Sequence, residues 1–320
     1  MPTRKSPRKG SLQFWPRKRA KKLLPSVNWN AISDSSKNLK GFIVYKAGMG
    51  SALVKDNTPN SVTKDREIIT PVTILECPLM KIFSIRLYKN KKVAKEILNK
   101  KKIEKELKKR VKIPKKELEK IQDINIEDYE DISIICYNSV KNTGIKKKPD
   151  LAEIGLKGSL QEKFEFIKEN LEKDLSITDF FEKGNLVDLR GLTKGKGFSG
   201  PVKRFGIQLK DHKSEKGRRR PGSIGPWHPA RVIFRVPMAG QLGMFTRVIY
   251  NNKIIDIGKI NNENKELFSN IKNYGNLKTD YIIVKGSVQG PAKRQLVLTS
   301  ALRPSKKTKK LNYNLLKIIK

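Results

Sequence analysis

A chain of 320 residues with 70 Lys and Arg against 31 Asp and Glu carries a formal net charge of +39. Such a charge works against any isolated compact fold through self-repulsion. A polyanion relieves that repulsion and gains entropy by displacing counterions. Charge alone admits nucleic acid, a membrane surface or an acidic protein, but its placement is uneven. Residues 1–33 hold nine basic residues and no acid, and residues 281–320 hold ten and no acid. Residues 121–190 hold fifteen acids and ten bases, a net of −5. Much of the chain is built to meet anion, and this one segment to face water or a protein neighbour.

With 37% apolar residues, a core for one large domain or two ordinary ones still fits. No apolar run approaches the ~20 residues that span a bilayer. The basic N-terminus lacks the continuous apolar stretch of a secretory signal. Cys77 and Cys136 lie in apolar, strand-like runs without CxxC spacing, and the chain has only two histidines. They read as reduced core thiols of a soluble, cytoplasmic protein, not as zinc ligands.

Residues 1–40 mix Pro, Ser, Gly and basic residues with isolated Phe14, Trp15 and Trp29 and keep no helix or strand period. They read as a basic arm that orders on RNA, its rings stacking and its arginines pairing with phosphates. From Gly41 come short β-type runs, GFIVYKAGM, SALVK, TPVTILEC and MKIFSIRLY, separated by turn residues. Val93, Ile97, Ile103, Leu107 and Val111 then recur at helical spacing up to Pro114. DISIICYNSV (131–140) reads as a strand and QEKFEFIKENLEKDL (161–175) as an amphipathic helix. The block 91–185 is thus expected to be an α-rich insertion between two β-rich parts, 41–90 and 186–303. In the second part LVDLRGL (186–192), DYIIVKGSV and QLVLTSA are strands, and TRVIYNNKIIDIG (246–258) is expected to be a hairpin turning at Asn251-Asn252. Roughly eight to ten short strands at this spacing point to a closed antiparallel barrel. In the tail 304–320, Leu311, Leu315, Leu316 and Ile319 fit a short amphipathic helix, to pack on RNA or on a neighbour.

Two motifs lead elsewhere and fail. GKGFSG (195–200) has the G-x-G-x-x-G spacing of a dinucleotide-binding turn after a strand. That reading needs a helix from the third glycine, whose amides meet phosphate. Pro201 follows at once, no helical apolar period survives the glycines and prolines beyond it, and residues 216–220 are mostly basic where an acid is needed. GLTKGKG lacks both the Ser or Thr after Lys196 and the glycine spacing of a P-loop. His212 and His228 lie in basic loops without a nucleophile partner. The chain is read as a binding protein, not an enzyme.

What remains is the segment 194–237, read as some forty residues without regular structure between two strands. Irregular loops of this length in a compact domain are functional or disordered. Lys194, Lys196, Lys203, Arg204, Lys210, Lys213, Lys216, Arg218, Arg219 and Arg220 face only Asp211 and Glu215. Glycines permit close backbone approach and prolines stiffen the loop. Trp227 and Phe205 offer flat faces to a base or ribose. Together these describe a finger pushed into folded RNA.

Several segments carry a resemblance: GLTKGKGFSGPVKRFG, RRRPGSIGPWHPARV, MAGQLGMFTRVIYNNKIIDIG and IIVKGSVQGPAKR, with PRKGSLQFWPRKRAKK near the start and GFIVYKAGM from Gly41. They resemble the large-subunit ribosomal protein L-three family from about residue 7 to 303, and the weakly matching block 91–185 points to its archaeal or eukaryotic branch. The resemblance implies a mainly β fold with an α/β insertion. Its centre is a six-stranded Greek-key barrel of the translation-protein type, and its arm and finger run into large-subunit rRNA. The implied rRNA-binding residues are Arg8, Lys9, Trp15, Arg17, Lys18 and Arg19 of the arm, and Lys194, Lys196, Lys203, Arg204, Arg218, Arg219, Arg220, Trp227, His228, Arg231 and Arg247 in and after the finger. Trp227, in the WHP element, falls at the position that in this family lies near the peptidyl-transferase centre and the aminoacyl-tRNA path. The family binds early in assembly and supplies no catalyst. No cofactor is implied beyond Mg or K ions held with the rRNA. The partners are rRNA and neighbouring ribosomal proteins, with the chain a monomer within the cytoplasmic ribosome. Eukaryotic relatives have His where Lys9 stands and a THRG-type His where this chain reads SEKG (214–217), so no role passes from those histidines. The rivals are a ribosome-assembly factor or rRNA-modifying enzyme, which needs a catalytic constellation, and a general nucleic-acid binder, which has no use for a shaped finger bearing a single Trp.

Overall fold

GFIVYKAGMGSALVKD, which reads as two strands, forms one of sixteen residues, β1 (Gly41–Asp56). The computed structural model describes residues 7–32, 38–99, 104–114, 125, 128–262 and 264–319. After β1 come β2 (Glu67–Cys77), β3 (Met80–Lys89), β4 (Lys92–Leu98), β5 (Asp131–Asn138) and β6 (Leu151–Gly155), then helix α1 (Leu160–Asn170). Next are β7 (Leu186–Leu192), β8 (Phe198–Ser199), helix α2 (Pro201–Phe205), β9 (Gly240–Gln241) and β10 (Thr246–Gly258). The chain ends with β11 (Asp280–Lys285), β12 (Gln295–Ser300), helix α3 (Lys306–Lys310) and β13 (Tyr313–Ile319). The protein is mainly β. It divides into two compact units, residues 1–22 with 192–246, and residues 23–191 with 247–320.

In the larger unit one sheet has the order β12-β7-β10-β11-β2-β1-β13, and β12 also pairs with β1. Six strands therefore close on themselves, with β13 outside the ring. β1 makes this closure through its length. Gly41 to Tyr45 pair with β12, Ser51 to Asp56 pair with β13, and the opposite edge pairs with β2 from Tyr45 to Lys55. A register shift at Lys46/Gly48 bends the strand, and a Cβ at Gly48 would sit 2.6 Å from Ile271 Cγ2, so the bend relies on glycine. The interior is filled by Phe42, Val44, Leu75, Leu189, Ile282 and Leu298, all fully buried. Each such side chain contributes roughly 1.5–3 kcal/mol through burial. Cys77 and Cys136 are free thiols in this core, and burial pushes both pKa values up.

The second sheet, β4-β3-β5-β6, corrects the expected layout of the first half. β3, expected with the barrel, instead pairs with β4 and β5. Among its described residues the block 91–185, expected to be α-rich, supplies three of these strands and one eleven-residue α-helix. The helical spacing of Val93 and Ile97 is coincidental. Asn90 and Lys91 both adopt positive φ, 51° and 59°, the two-residue turn that folds β4 back on β3. Helix α1 starts at a capping box between Ser159 and Glu162 and buries Phe164, Phe166 and Ile167. These residues, with Ile85, Ile134 and Ile154, join the same hydrophobic cluster as Leu75, Leu189 and Leu298. The insertion shares its core with the ring.

Two further expectations fail for local reasons. The predicted hairpin at Asn251-Asn252 is the single strand β10; Asn251 takes φ 58°, yet the chain continues. Fully buried Asp188 accepts the Asn251 N–H at 2.9 Å and the Leu302 N–H at 2.9 Å, satisfying the amide that the kink removes from the ladder. The tail reads as helical but is the strand β13, because the second half of β1 would otherwise be an open edge. Tyr313 and Ile318 bury against Ala52 and Val54.

Candidate nucleic-acid interface

In the smaller unit the base of the finger is a two-stranded stem. Phe198 pairs with Gln241 and Ser199 with Gly240. The Lys196 N–H donates to Leu242 O and the Leu242 N–H to Gly197 O, both at 2.9 Å, and the Thr193 N–H donates to Phe245 O at 3.0 Å. A Cβ at Gly243, φ 79°, would fall 1.9 Å from Lys194 O, so only glycine closes this stem. The sequence reading of an unstructured segment is corrected here, and again just beyond the third glycine of GKGFSG. Pro201 opens α2, the position where its missing N–H costs nothing, and Gly206 ends it at φ 69°. Five residues are too few to revive a dinucleotide site. Residues 207–239 hold neither helix nor strand.

The arm folds onto this stem. Trp15 stacks on Phe205, with ring centroids 5.5 Å apart and planes 18° apart, and meets Phe234 edge-on at 5.9 Å. The Arg17 guanidinium lies 4.3 Å from the Phe205 centroid and 5.8 Å from that of Trp15. Arg204 donates from Nε to Gln241 O and from Nη1 to Met238 O, each at 3.0 Å, and from Nη2 to Arg17 O at 3.4 Å. Arg17 Nη1 donates in return to Arg204 O at 2.9 Å. Arg8 Nη2 reaches Arg235 O at 2.6 Å, and the Ala20 N–H donates to Met244 O at 2.9 Å. A Cβ at Gly10 would lie 2.6 Å from Phe205, and one at Gly240 2.8 Å from Arg204, so the close packing requires both glycines.

The residues expected to meet RNA therefore fall into two groups. Arg8, Lys9, Lys18, Arg19, Lys194, Lys196, Lys203, Arg218, Arg219, Arg220, Trp227, His228 and Arg231 are exposed. Trp15, Arg17, Arg204 and Arg247 are partly buried. Arg17 and Arg204 hold protein carbonyls, and burial lowers the Arg204 pKa, though a guanidinium keeps its charge in any folded protein. Trp227 is 85% exposed, Phe198 83% and Phe234 63%. Rings this bare, in a segment where residues 192–246 carry twelve Lys or Arg and only two acids, are the surface chemistry of a base-stacking, phosphate-pairing partner. The sequence reading missed Phe234, which meets Trp15 from more than two hundred positions away, and Met238, Gly10 and Gly240, whose packing roles follow no period.

Other chemistry finds less support in the geometry. Among the described residues no three or more His, Cys, Asp or Glu are grouped to hold a metal ion. No helix of the described residues is long and apolar enough to cross a membrane. His212 lies 3.1 Å from Asp211 on the surface, with no nucleophile in the pair.

The family model described as ribosomal protein L3 matches residues 1–320. The large ribosomal subunit protein uL3 of Methanococcus vannielii is 43% identical over 313 residues, covering 93% of this chain and 92% of the relative. The uL3 of Methanocaldococcus jannaschii is 41% identical over 310 residues, covering 93% and 92%. That of Archaeoglobus fulgidus is 37% identical over 309 residues, covering 94% and 93%.

Proposed function

Because the chain belongs to the ribosomal protein L3 family, we propose that it is a structural constituent of the large ribosomal subunit, bound to large-subunit rRNA in the cytoplasmic ribosome. The observation that carries this reading is the smaller unit. Its stem, packed against the described part of the arm, bears a finger of exposed cations and bare rings, a feature that a non-specific polyanion binder has no need of. We read the six-stranded ring as the Greek-key barrel of the translation-protein type. The finger extends toward the peptidyl-transferase centre and the aminoacyl-tRNA path, and the protein supports assembly instead of supplying catalysis. Mg or K ions bind with the rRNA. The net −5 segment, 121–190, faces solvent or a neighbouring ribosomal protein.

Sucrose-gradient fractionation of lysate across rising salt tests the coarse reading. Stoichiometric co-migration with the large subunit up to molar salt is expected, with loss on RNase treatment. Release at modest salt, or presence only on precursor particles, replaces it with an assembly factor or a general binder, whose affinity falls steeply with salt. For the finer reading, Trp227→Ala is expected to leave subunits assembled while weakening local contact by roughly 1–3 kcal/mol if the ring stacks on a base. Pre-steady-state kinetics should then show slowed aminoacyl-tRNA accommodation, and unchanged accommodation removes the finger from that path.

A further inference from the structure

A cavity of about 490 Å³ opens within the smaller unit, between the arm and the returning limb of the finger. Trp15 and Pro16 line it from the arm, and Val232, Phe234, Val236 and Met238 from the finger. Its size falls in the ~300–1,000 Å³ range of small-ligand pockets, and its walls are almost wholly apolar. Three of its lining side chains are exposed: Phe234 is 63% exposed, Val232 49% and Ile233 40%. The charge around it has one sign. Arg204 is part of the lining, Arg235 lies 5.8 Å from the Phe234 ring centroid, and residues 7–22 and 229–246 contain no acid.

An apolar slot with an aromatic wall and a purely cationic rim fits a partner that is flat and apolar in one part and anionic in the next. We propose that this cavity receives a single unstacked nucleobase of the bound RNA, its flanking phosphates meeting the arginines of the rim. The inference rests on the rRNA-binding reading above and adds to it a specific seat. The base loses its stacking partners in the RNA and regains one on the exposed Phe234 ring, as in single-stranded recognition, where the ring faces are read without a hydrogen-bond code. An apolar protein side chain would fill the slot equally well but would leave the cationic rim uncompensated. For that reason the base is favoured.

The test uses large subunits carrying the full chain as wild type, as the double variant Val232→Ser with Ile233→Ser, and as Ile224→Ser. Ile224 is an exposed apolar finger residue outside the cavity and serves as the control. Base-specific probing with dimethyl sulfate and a carbodiimide is the readout. In wild-type subunits one unpaired base is protected, and its reactivity rises roughly 10-fold in the double variant, the change expected when two apolar side chains of the slot wall become polar. The rest of the footprint and the Ile224→Ser pattern stay unchanged. A double variant that remains in the subunit with an identical reactivity pattern overturns the proposal. So does a benzophenone probe at position 233 that crosslinks to protein and not to RNA. Absence of the wild-type chain from the large subunit overturns the underlying reading, and this one with it.

Discussion

Glu76→Ala is expected to destabilise the larger unit by about 4 kcal/mol, as happens when a buried acceptor that serves several donors is removed. Glu76 sits on β2 with no solvent exposure. Its Oε1 accepts from the Lys278 N–H at 2.9 Å, the Thr279 N–H at 3.2 Å and Thr279 Oγ1 at 3.2 Å, and its Oε2 accepts from the Tyr274 hydroxyl. One carboxylate thus terminates four donors and ties the approach to β11 onto its neighbour strand. Alanine leaves these part-buried donors without their shared acceptor, and each one that water does not reach costs ~1–3 kcal/mol. Burial and the adjacent Glu76 charge both push the Tyr274 pKa up, so the phenol stays a donor at any working pH. Thermal unfolding followed by circular dichroism should show a fall of roughly 10 °C, at ~2–4 °C per kcal/mol. Glu76→Gln keeps one acceptor oxygen and should lose about half as much. A change under ~1 kcal/mol for alanine would mean that water or a backbone shift replaces the carboxylate.

Arg204→Ala is expected to release the arm. One guanidinium holds the carbonyls of Gln241, Met238 and Arg17 and lies 5.1 Å from the Phe205 ring centroid, so it joins stem, finger limb and arm at one point. Hydrogen bonds from charged donors are worth ~1.5–3 kcal/mol each and do not add fully. A local loss of about 3 kcal/mol follows, roughly a 100-fold fall in hydrogen-exchange protection at the Ala20 and Leu242 amides, with Ile282 in the ring unchanged. Arg204→Lys separates charge from geometry. The ammonium keeps the charge but cannot reach three carbonyls in a planar fork, so lysine should behave much like alanine. Lysine that preserves protection would reduce the role of Arg204 to electrostatics. On the proposed rRNA-binding role, a finger without its clamp would reach the RNA with more conformational entropy to lose.

The strands of the ring were legible because each is a short apolar run bounded by turn residues, and burial on the inner face enforces that pattern. The insertion was misread because Val93, Ile97, Ile103, Leu107 and Val111 satisfy a helical period, while the deciding signal was two residues, Asn90 and Lys91, in a left-handed turn. Asn251 misled in the opposite direction. It has the conformation of a hairpin turn, but Asp188, distant in sequence, converts the turn into a kink. At the candidate interface the cations and Trp227 were evident from composition and order. The division of the arginines was not: Arg17 and Arg204 look like Arg218 to Arg220 in sequence and differ only in what surrounds them. Strands β8 and β9, two residues each and some forty positions apart, leave no periodic trace at all.

The pairing of β1 with both β12 and β13 sets an order of events during synthesis. Ser51 is made early, yet its partner Ile319 belongs to β13, far later in the chain. At ~5–20 residues per second the interval between them is on the order of tens of seconds. Through that interval one whole edge of β1 offers unpaired amides and carbonyls to any passing strand. The hazard of edge-to-edge aggregation therefore belongs to the nascent chain and ends when both β12 and β13 have paired with β1. Selection for clean production of this protein should act on whatever shields that edge during translation, more than on the stability of the finished fold.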